Sequence, residues 1–288
     1  MKMIKYPRTP HLEASGIQRG DDPNVASDRA LAAMPGMTWV VEEKLDGANA
    51  AISFDGAGEL HLQSRGHYLD IDGRPPRERH FAPFKTWVRM HERALIERLE
   101  DRHVVYGEWL GALHTQFYDR LPSLFLEFDV LDRVSGDFLS TPARDRLLVG
   151  LPLPAVPILH SGAFPDRSAR TALITPSPYR SDTWRSSLDE QIVRGEARRD
   201  KVLEQVESTR LSEGLYVKGE KGGRVERRFK HVRADFVQRI TDNDTHWHDR
   251  PIVRNACAPG IEFLDPRSIA PRVDRFARRR ADEHKGAS

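Results

Sequence analysis

From residue 38 onward, apolar and polar positions alternate in short runs closed by turn residues. Trp39–Glu43 reads as a strand, and Asn49–Phe54 follows after Asp46-Gly47. Asp55-Gly56-Ala57-Gly58 turns the chain into Glu59–Ser64, where Leu60 and Leu62 alternate with polar neighbours. Period-two alternation between turn clusters predicts an antiparallel meander. The period then lengthens. Phe84, Trp87, Val88, His91, Leu95 and Leu99 recur at three- and four-residue steps, which predicts an amphipathic helix over 84–100. Two apolar strands come next, Val104–Leu110 and Leu124–Leu131, and Ser140-Thr141-Pro142 caps a short helix that Gly150 closes. Residues 188–211 read as a long, charge-dense helical stretch. Leu215–Lys218 and Val225–Lys230 flank Gly219-Glu220-Lys221-Gly222-Gly223 as a hairpin. Residues 7–36, rich in Pro, Gly, Asp and Ser, form an irregular lead-in. From about 243 the chain is irregular again, before a basic helix around 268–284. Helices interspersed with antiparallel hairpins predict an α+β fold, with a main domain over 1–242 and a short basic helical extension over 243–288.

Composition changes this picture in two respects. The 45 Lys and Arg against 43 Asp and Glu leave a net charge of +2, so only the distribution of charge can speak for a polyanionic partner. The single cysteine, Cys257, excludes an internal disulfide framework and a cysteine-only zinc site, and points to a reducing compartment. Met1–Pro7 lacks the apolar core of a signal peptide, and no run approaches the roughly 18 apolar residues of a membrane span. A soluble cytoplasmic chain with no membrane partner is expected.

Three groups of residues carry candidate chemistry. In Glu42-Glu43-Lys44-Leu45-Asp46-Gly47-Ala48-Asn49, a lysine ends one strand, and Asn49 opens the next beyond an Asp-Gly turn. Lys-x-Asp-Gly alone is equally a polar turn with a solvated lysine. As chemistry, it is a lysine nucleophile, which must be made neutral by desolvation or nearby positive charge, with Asp46 in reach of a metal ion or its water. In Arg227-Arg228-Phe229-Lys230-His231-Val232, alternation puts Arg228, Lys230 and Val232 on one face, with two cations suited to a phosphate. A charged edge strand would look the same. Glu108, the Phe125–Asp129 stretch and Glu213 are isolated strand residues that decide nothing singly.

Together, their order and spacing resemble the covalent nucleotidyltransferases, the superfamily of ATP-dependent nucleic-acid ligases and capping enzymes. Six elements stand in order between residues 44 and 230: Lys44-Leu-Asp46-Gly, Ser64-Arg65-Gly66, Glu108, Phe128 in Glu-Phe-Asp-Val, Glu213-Gly-Leu-Tyr-Val-Lys218, and Arg228-Phe-Lys230. Asn49, five residues after the lysine, resembles the RNA ligase 2-like branch. The fifth motif opens with Arg228 where the family commonly has lysine, and the 58 residues after Lys230 are too few for the extra β-barrel domain of DNA ligases and capping enzymes.

The resemblance implies an ATP-dependent RNA ligase acting in RNA repair, sealing 5′-phosphate to 3′-hydroxyl ends through a lysyl-AMP intermediate. Lys44 would attack the α-phosphorus of ATP. Arg65 and Glu108 would hold the ribose side, and Phe128 would stack on adenine. Glu43, Asn49 and Lys218 would complete the nucleotide site. Asp46, Glu108 and Glu213 would position magnesium or manganese, and Arg228 and Lys230 would neutralise the α-phosphate. The same field would deprotonate the lysine. RNA is the implied partner, with an end-healing kinase and phosphatase acting upstream. The rival readings are a DNA ligase, a capping-type nucleotidyltransferase, and a catalytically silent RNA-binding module on the same fold. His246-Trp247-His248 resembles a metal-ligand pair without a third ligand, and Arg272, Arg275, Arg278, Arg279 and Arg280 offer either a solvated helix face or a track for a phosphate backbone.

Overall fold

The computed structural model describes residues 2–17, 21, 24–73, 75–241 and 252–277. The N-terminal segment carries β1 (His11–Leu12), β2 (Val25–Ala26) and α1 (Asp28–Ala32). The meander follows as β3 (Thr38–Lys44), β4 (Ala48–Phe54) and β5 (Leu60–Ser64), then α2 (Ala82–Leu99), β6 (His103–Trp109), β7 (Phe125–Asp132) and β8 (Phe138–Leu139). Next come α3 (Thr141–Leu148), β9 (Ile158–Gly162), α4 (Arg167–Ala172), α5 (Trp184–Arg194), α6 (Arg199–Gln205), β10 (Gly214–Lys221), β11 (Arg224–Val232) and α7 (Ala234–Thr241). The fold is α+β, as expected.

The strands run in the order β5-β4-β6-β7-β8-β11-β10-β3-β9. Every pairing is antiparallel except the two made by β1, with β11 and with β2. The join is thin. β8 meets β7 only at Leu131↔Phe138 and meets β11 at two residues, so two four-stranded halves share one narrow bridge. Each half buries its own apolar face. Ile52, Phe54, Leu62, Val105 and Trp109 pack under α2 through Phe84, Trp87, Leu95 and Leu99. Trp39, Val41, Leu215, Val217 and Phe229 pack with Leu31 of α1. Alternation turns the polar residues of both halves inward, toward each other.

Four local differences from the sequence expectation have physical causes. The hairpin strands run on to Lys221 and Arg224, so the turn is only Gly222-Gly223, both at positive φ (60° and 81°), as a type I′ turn requires. The 188–211 stretch breaks at Gly195-Glu196. Glu196 sits at φ 51°, and a Cβ on Gly195 would meet the Ile252 carbonyl at 2.7 Å, because the returning chain passes there. The lead-in is partly ordered by β1, β2 and α1. No helix forms over 268–276, where Pro271 removes a backbone donor and Arg272 instead exchanges hydrogen bonds with Gly150 and Leu151.

Between the two halves lies a buried ion network. Arg144 of α3 reaches Glu42 of β3 at 2.7 Å and Glu127 of β7 at 2.8 Å, with all three side chains fully buried. Lys218 of β10 adds Glu42 at 2.7 Å and Asp129 at 3.2 Å. Arg272 binds Glu127 at 2.6 Å and Asp145, and Arg275 binds Asp145 at 2.7 Å. Of the expected phosphate-tracking tail, Arg272 is therefore buried in the interior, while Arg275 pairs with Asp145 from an exposed position; Arg278, Arg279 and Arg280 lie outside the described residues. Burial would raise the Glu127 carboxyl, but Arg144 and Arg272 outweigh it and hold it down at about 2. Replacing one member leaves uncompensated buried charge. Arg144→Met should cost about 3–5 kcal/mol, read as a lower urea midpoint at unchanged slope.

Candidate active site

The inward faces of the two halves enclose a cavity of about 880 Å³. Lys44 ends β3 in one half and Ala48 begins β4 in the other, so Leu45–Gly47 is where the chain crosses between them. Close packing dictates the residues of this crossing. A Cβ on Gly47 would meet the Trp109 carbonyl at 2.6 Å, and the Gly47 N–H donates to Glu108 Oε1 at 3.0 Å. Leu45 is buried in the core beside Leu110 and Tyr118. The register then brings the acids in: Asn49 faces Glu108 across β4 and β6, and Glu213 immediately precedes Gly214, the partner of Lys44.

On the floor, Lys44 Nζ lies 2.6 Å from Glu213 Oε1. Burial pulls the Lys44 pKa down, but Glu213 and Glu108 outweigh it and hold the amine above its ordinary range. Burial likewise drives the carboxyls upward, to about 8 for Glu108 and about 7 for Glu213, with Lys44 opposing the shift in each. Among the protein's own groups, the two carboxylates favour the ammonium form of Lys44. Glu213 Oε2 and Asn49 Oδ1 are buried without a protein hydrogen-bond partner. Two crowded carboxyls, one with an orphaned oxygen, suit a hydrated divalent cation. Among the described residues no three His, Cys, Asp or Glu side chains converge into a direct-ligand cage.

Phe128, Arg65 and Lys230 also line the cavity. Phe125, the other aromatic of that strand, is fully buried between Phe84 and Trp87. Lys230 Nζ pairs with Asp21 at 2.5 Å.

Three expected residues stand elsewhere, and a fourth, Glu43, lines the cavity with its carboxyl turned aside. The Asp46 carboxylate accepts from the Thr115 and Gln116 N–H groups at 2.7 and 2.6 Å, fixing a loop behind the crossing, and is not among the lining side chains. Alternation turns the Glu43 carboxyl off the Lys44 side toward Ser177, where burial raises it to about 7. Lys218 and Arg228 are paired across β10 and β11, one step further from the site than the pair Tyr216↔Lys230. Lys218 is consumed by the ion network, and the Arg228 guanidinium stacks 3.8 Å over Phe138. His246-Trp247-His248 lies outside the described residues.

The sequence leaves open whether the segment Tyr6-Pro7-Arg8-Thr9-Pro10-His11 caps the pocket; in the structure Lys5, Tyr6, Arg8 and Thr9 line the cavity. The Tyr6 hydroxyl donates to Asp129 at 2.5 Å and meets the Tyr216 hydroxyl at 3.0 Å, while its ring sits edge-on to Phe128. His114 and Arg77 line the cavity too, and no motif marks them.

Comparison with known proteins adds the following. No curated protein matches the chain. Among solved structures, mutants of the Naegleria gruberi RNA ligase are similar. One with ATP and Mn is 17% identical, with 72% of this chain and 53% of that chain covered, at a TM-score of 0.45. A second with ATP and Mn is 14% identical over 84% and 64%, at 0.48. One with AMP and Mn is 16% identical over 83% and 64%, also at 0.48. This chain therefore spans only about half to two thirds of their length. The family model described as RNA ligase matches residues 37–232, from just before β3 to the last residue of β11. That is more than half of the sequence and takes in both strands of the crossing, so the chain belongs to the RNA ligase family.

Proposed function

We propose that this chain is an ATP-dependent RNA ligase that joins a 5′-phosphate to a 3′-hydroxyl through AMP carried on Lys44. The observation that carries the reading is the floor of the cavity: a lysine at the end of β3, 2.6 Å from a buried glutamate, facing an aromatic and a further lysine across an ATP-sized space. Phe128 offers its ring to adenine, and Asn49 and Arg65 face the nucleotide from β4 and the loop after β5. Lys44 Nζ attacks the α-phosphorus. The new N–P bond replaces the bond to the bridging oxygen, whose electron pair leaves with pyrophosphate. AMP then passes to the 5′-phosphate of the RNA, and the 3′-hydroxyl displaces it. Lys230 offsets the charge that builds on the α-phosphate.

Lys44 must first lose a proton that Glu213 and Glu108 hold in place. Magnesium or manganese, bound through water by those two carboxylates, would supply positive charge at the phosphate and weaken their hold on the amine. The chain's own groups set the starting point, a protonated lysine clamped at 2.6 Å, which keeps the nucleophile quiet.

Three outcomes follow from this reading. Lys44→Arg keeps the charge but cannot form a neutral amine, so labelling with AMP from ATP should vanish, while sealing of a chemically adenylylated RNA end persists in part. Retained labelling would overturn the proposal. Phe128→Ala should raise the ATP requirement roughly 5- to 150-fold, the loss of one stacked base; Phe125→Ala, cut from the core, should instead lower the melting temperature. Glu213→Gln removes the nearest negative charge, so the Lys44 titration measured by amine acylation without metal should move to lower pH by at least about one unit. An unmoved midpoint would show that Glu213 is not what holds the proton.

A further inference from the structure

Six lysines and arginines line the cavity: Lys5, Arg8, Lys44, Arg65, Arg77 and Lys230. Two are committed within the chain, Lys44 to Glu213 and Lys230 to Asp21. Among the described residues, no ion pair is made by Lys5, Arg8, Arg65 or Arg77. The uncompensated positive charge of the site therefore lies on its walls, while its floor carries Glu108 and Glu213. A triphosphate with its negative charges cannot lie along that floor unaided; its outer phosphates must point to the walls.

Which wall takes them follows from how the N-terminal segment is anchored. His11 pairs with Lys230 in the sheet, and the Lys230 N–H donates to the Pro10 carbonyl at 2.9 Å. Two residues before Pro10 stands Arg8. Thr9 is hydrogen-bonded to the Tyr216 hydroxyl, and Tyr6 is bonded to both Tyr216 and Asp129. Tyr216 is the cross-strand partner of Lys230. Residues 5–9 are thus a strap with hydroxyl anchors at both ends, and its two cations emerge beside the lysine that faces the α-phosphate. Arg65 and Arg77 belong to the other half of the sheet, on the loop after β5 and the turn before α2.

From this placement, and resting on the ligase reading above, we infer that Lys5 and Arg8 form the binding site for the β- and γ-phosphates of ATP and hold the departing pyrophosphate. As the Lys44 Nζ–P bond forms, the bond from the α-phosphorus to its bridging oxygen breaks. The electron pair stays on pyrophosphate, whose charge the strap offsets. An arginine fork and a lysine point charge are well matched to a diphosphate. AMP itself, lacking those phosphates, does not need the strap.

The test compares ATP with AMP on the full chain in which Lys5→Ala and Arg8→Ala are combined; both side chains are exposed, so the fold does not depend on them. Equilibrium titration with each nucleotide in magnesium should show ATP weakened about 10-fold or more, as loss of charge-assisted contacts implies, with AMP affinity unchanged. Labelling should need correspondingly more ATP, and sealing of a pre-adenylylated RNA end should stay at the wild-type rate. Equal weakening of AMP and ATP would overturn the inference by making the strap a plain wall. Loss confined to sealing of the pre-adenylylated end would also overturn it, by assigning these cations to RNA. A wild-type chain that takes no label from ATP would instead overturn the ligase reading, and the ATP-to-AMP affinity ratio would still report on the strap alone.

Discussion

The architecture of the site depends on one buried arrangement, the ion network through Arg144. Its members come from β3, β7, β10, α3 and the segment around Arg272, so five pieces of chain distant in sequence meet at one charge cluster. Buried ion pairs are poor sources of net stability, because desolvation consumes most of the Coulomb gain. What they do is forbid alternatives: any slip of β3 against β7 strands a charge in the interior. Arg144 and Lys218 both donate to the Phe128 carbonyl as well, which fixes the backbone that presents the Phe128 ring to the cavity. The narrow β8 bridge can join the two half-sheets because this cluster ties their inward faces together.

Opposed charge runs through the cavity for a related reason. The floor is acidic and dry enough to push two glutamates toward neutrality, and the walls are basic and open to water. Lys44 opposes that shift in both carboxyls, and they in turn favour its ammonium form. On the ligase proposal, the cations that a phosphate needs are also those that would free the Lys44 amine.

Much of this was legible in the sequence. Strands and helix α2 follow from period-two and three-to-four spacing, because each half-sheet buries only one face. The lining positions of Lys44, Asn49, Arg65, Glu108, Phe128, Glu213 and Lys230 agree with motif order, since those motifs sit at strand ends and on inward faces. Depth along a strand was not legible. Lys218 shares a face with Tyr216 and Arg228 shares one with Lys230, yet a shift of two residues takes each out of the cavity and into the ion pairs and aromatic stack behind it. Glu43 reaches the cavity wall, but parity, one residue from Lys44, turns its carboxyl away from that lysine. The strap was illegible for a different reason: its position comes from hydroxyl contacts with residues more than a hundred positions away, which leave no periodic trace.

The anchoring of Arg272 separates two objects that a family match tends to merge. The recognisable segment ends at residue 232, but the folding unit does not. Phe263 stacks on Trp87 at 5.7 Å in the main core, Asn255 ties together the backbone at Leu110 and Tyr118, and Arg272 supplies the charge that Glu127 and Asp145 need. A fragment trimmed to residues 37–232 would keep the motif residues of the cavity floor but lose both the N-terminal wall and the counter-charge beneath. Expression boundaries, domain grafts and library design on this scaffold have to be drawn beyond Arg275, at the edge of the electrostatics rather than at the edge of the motif map.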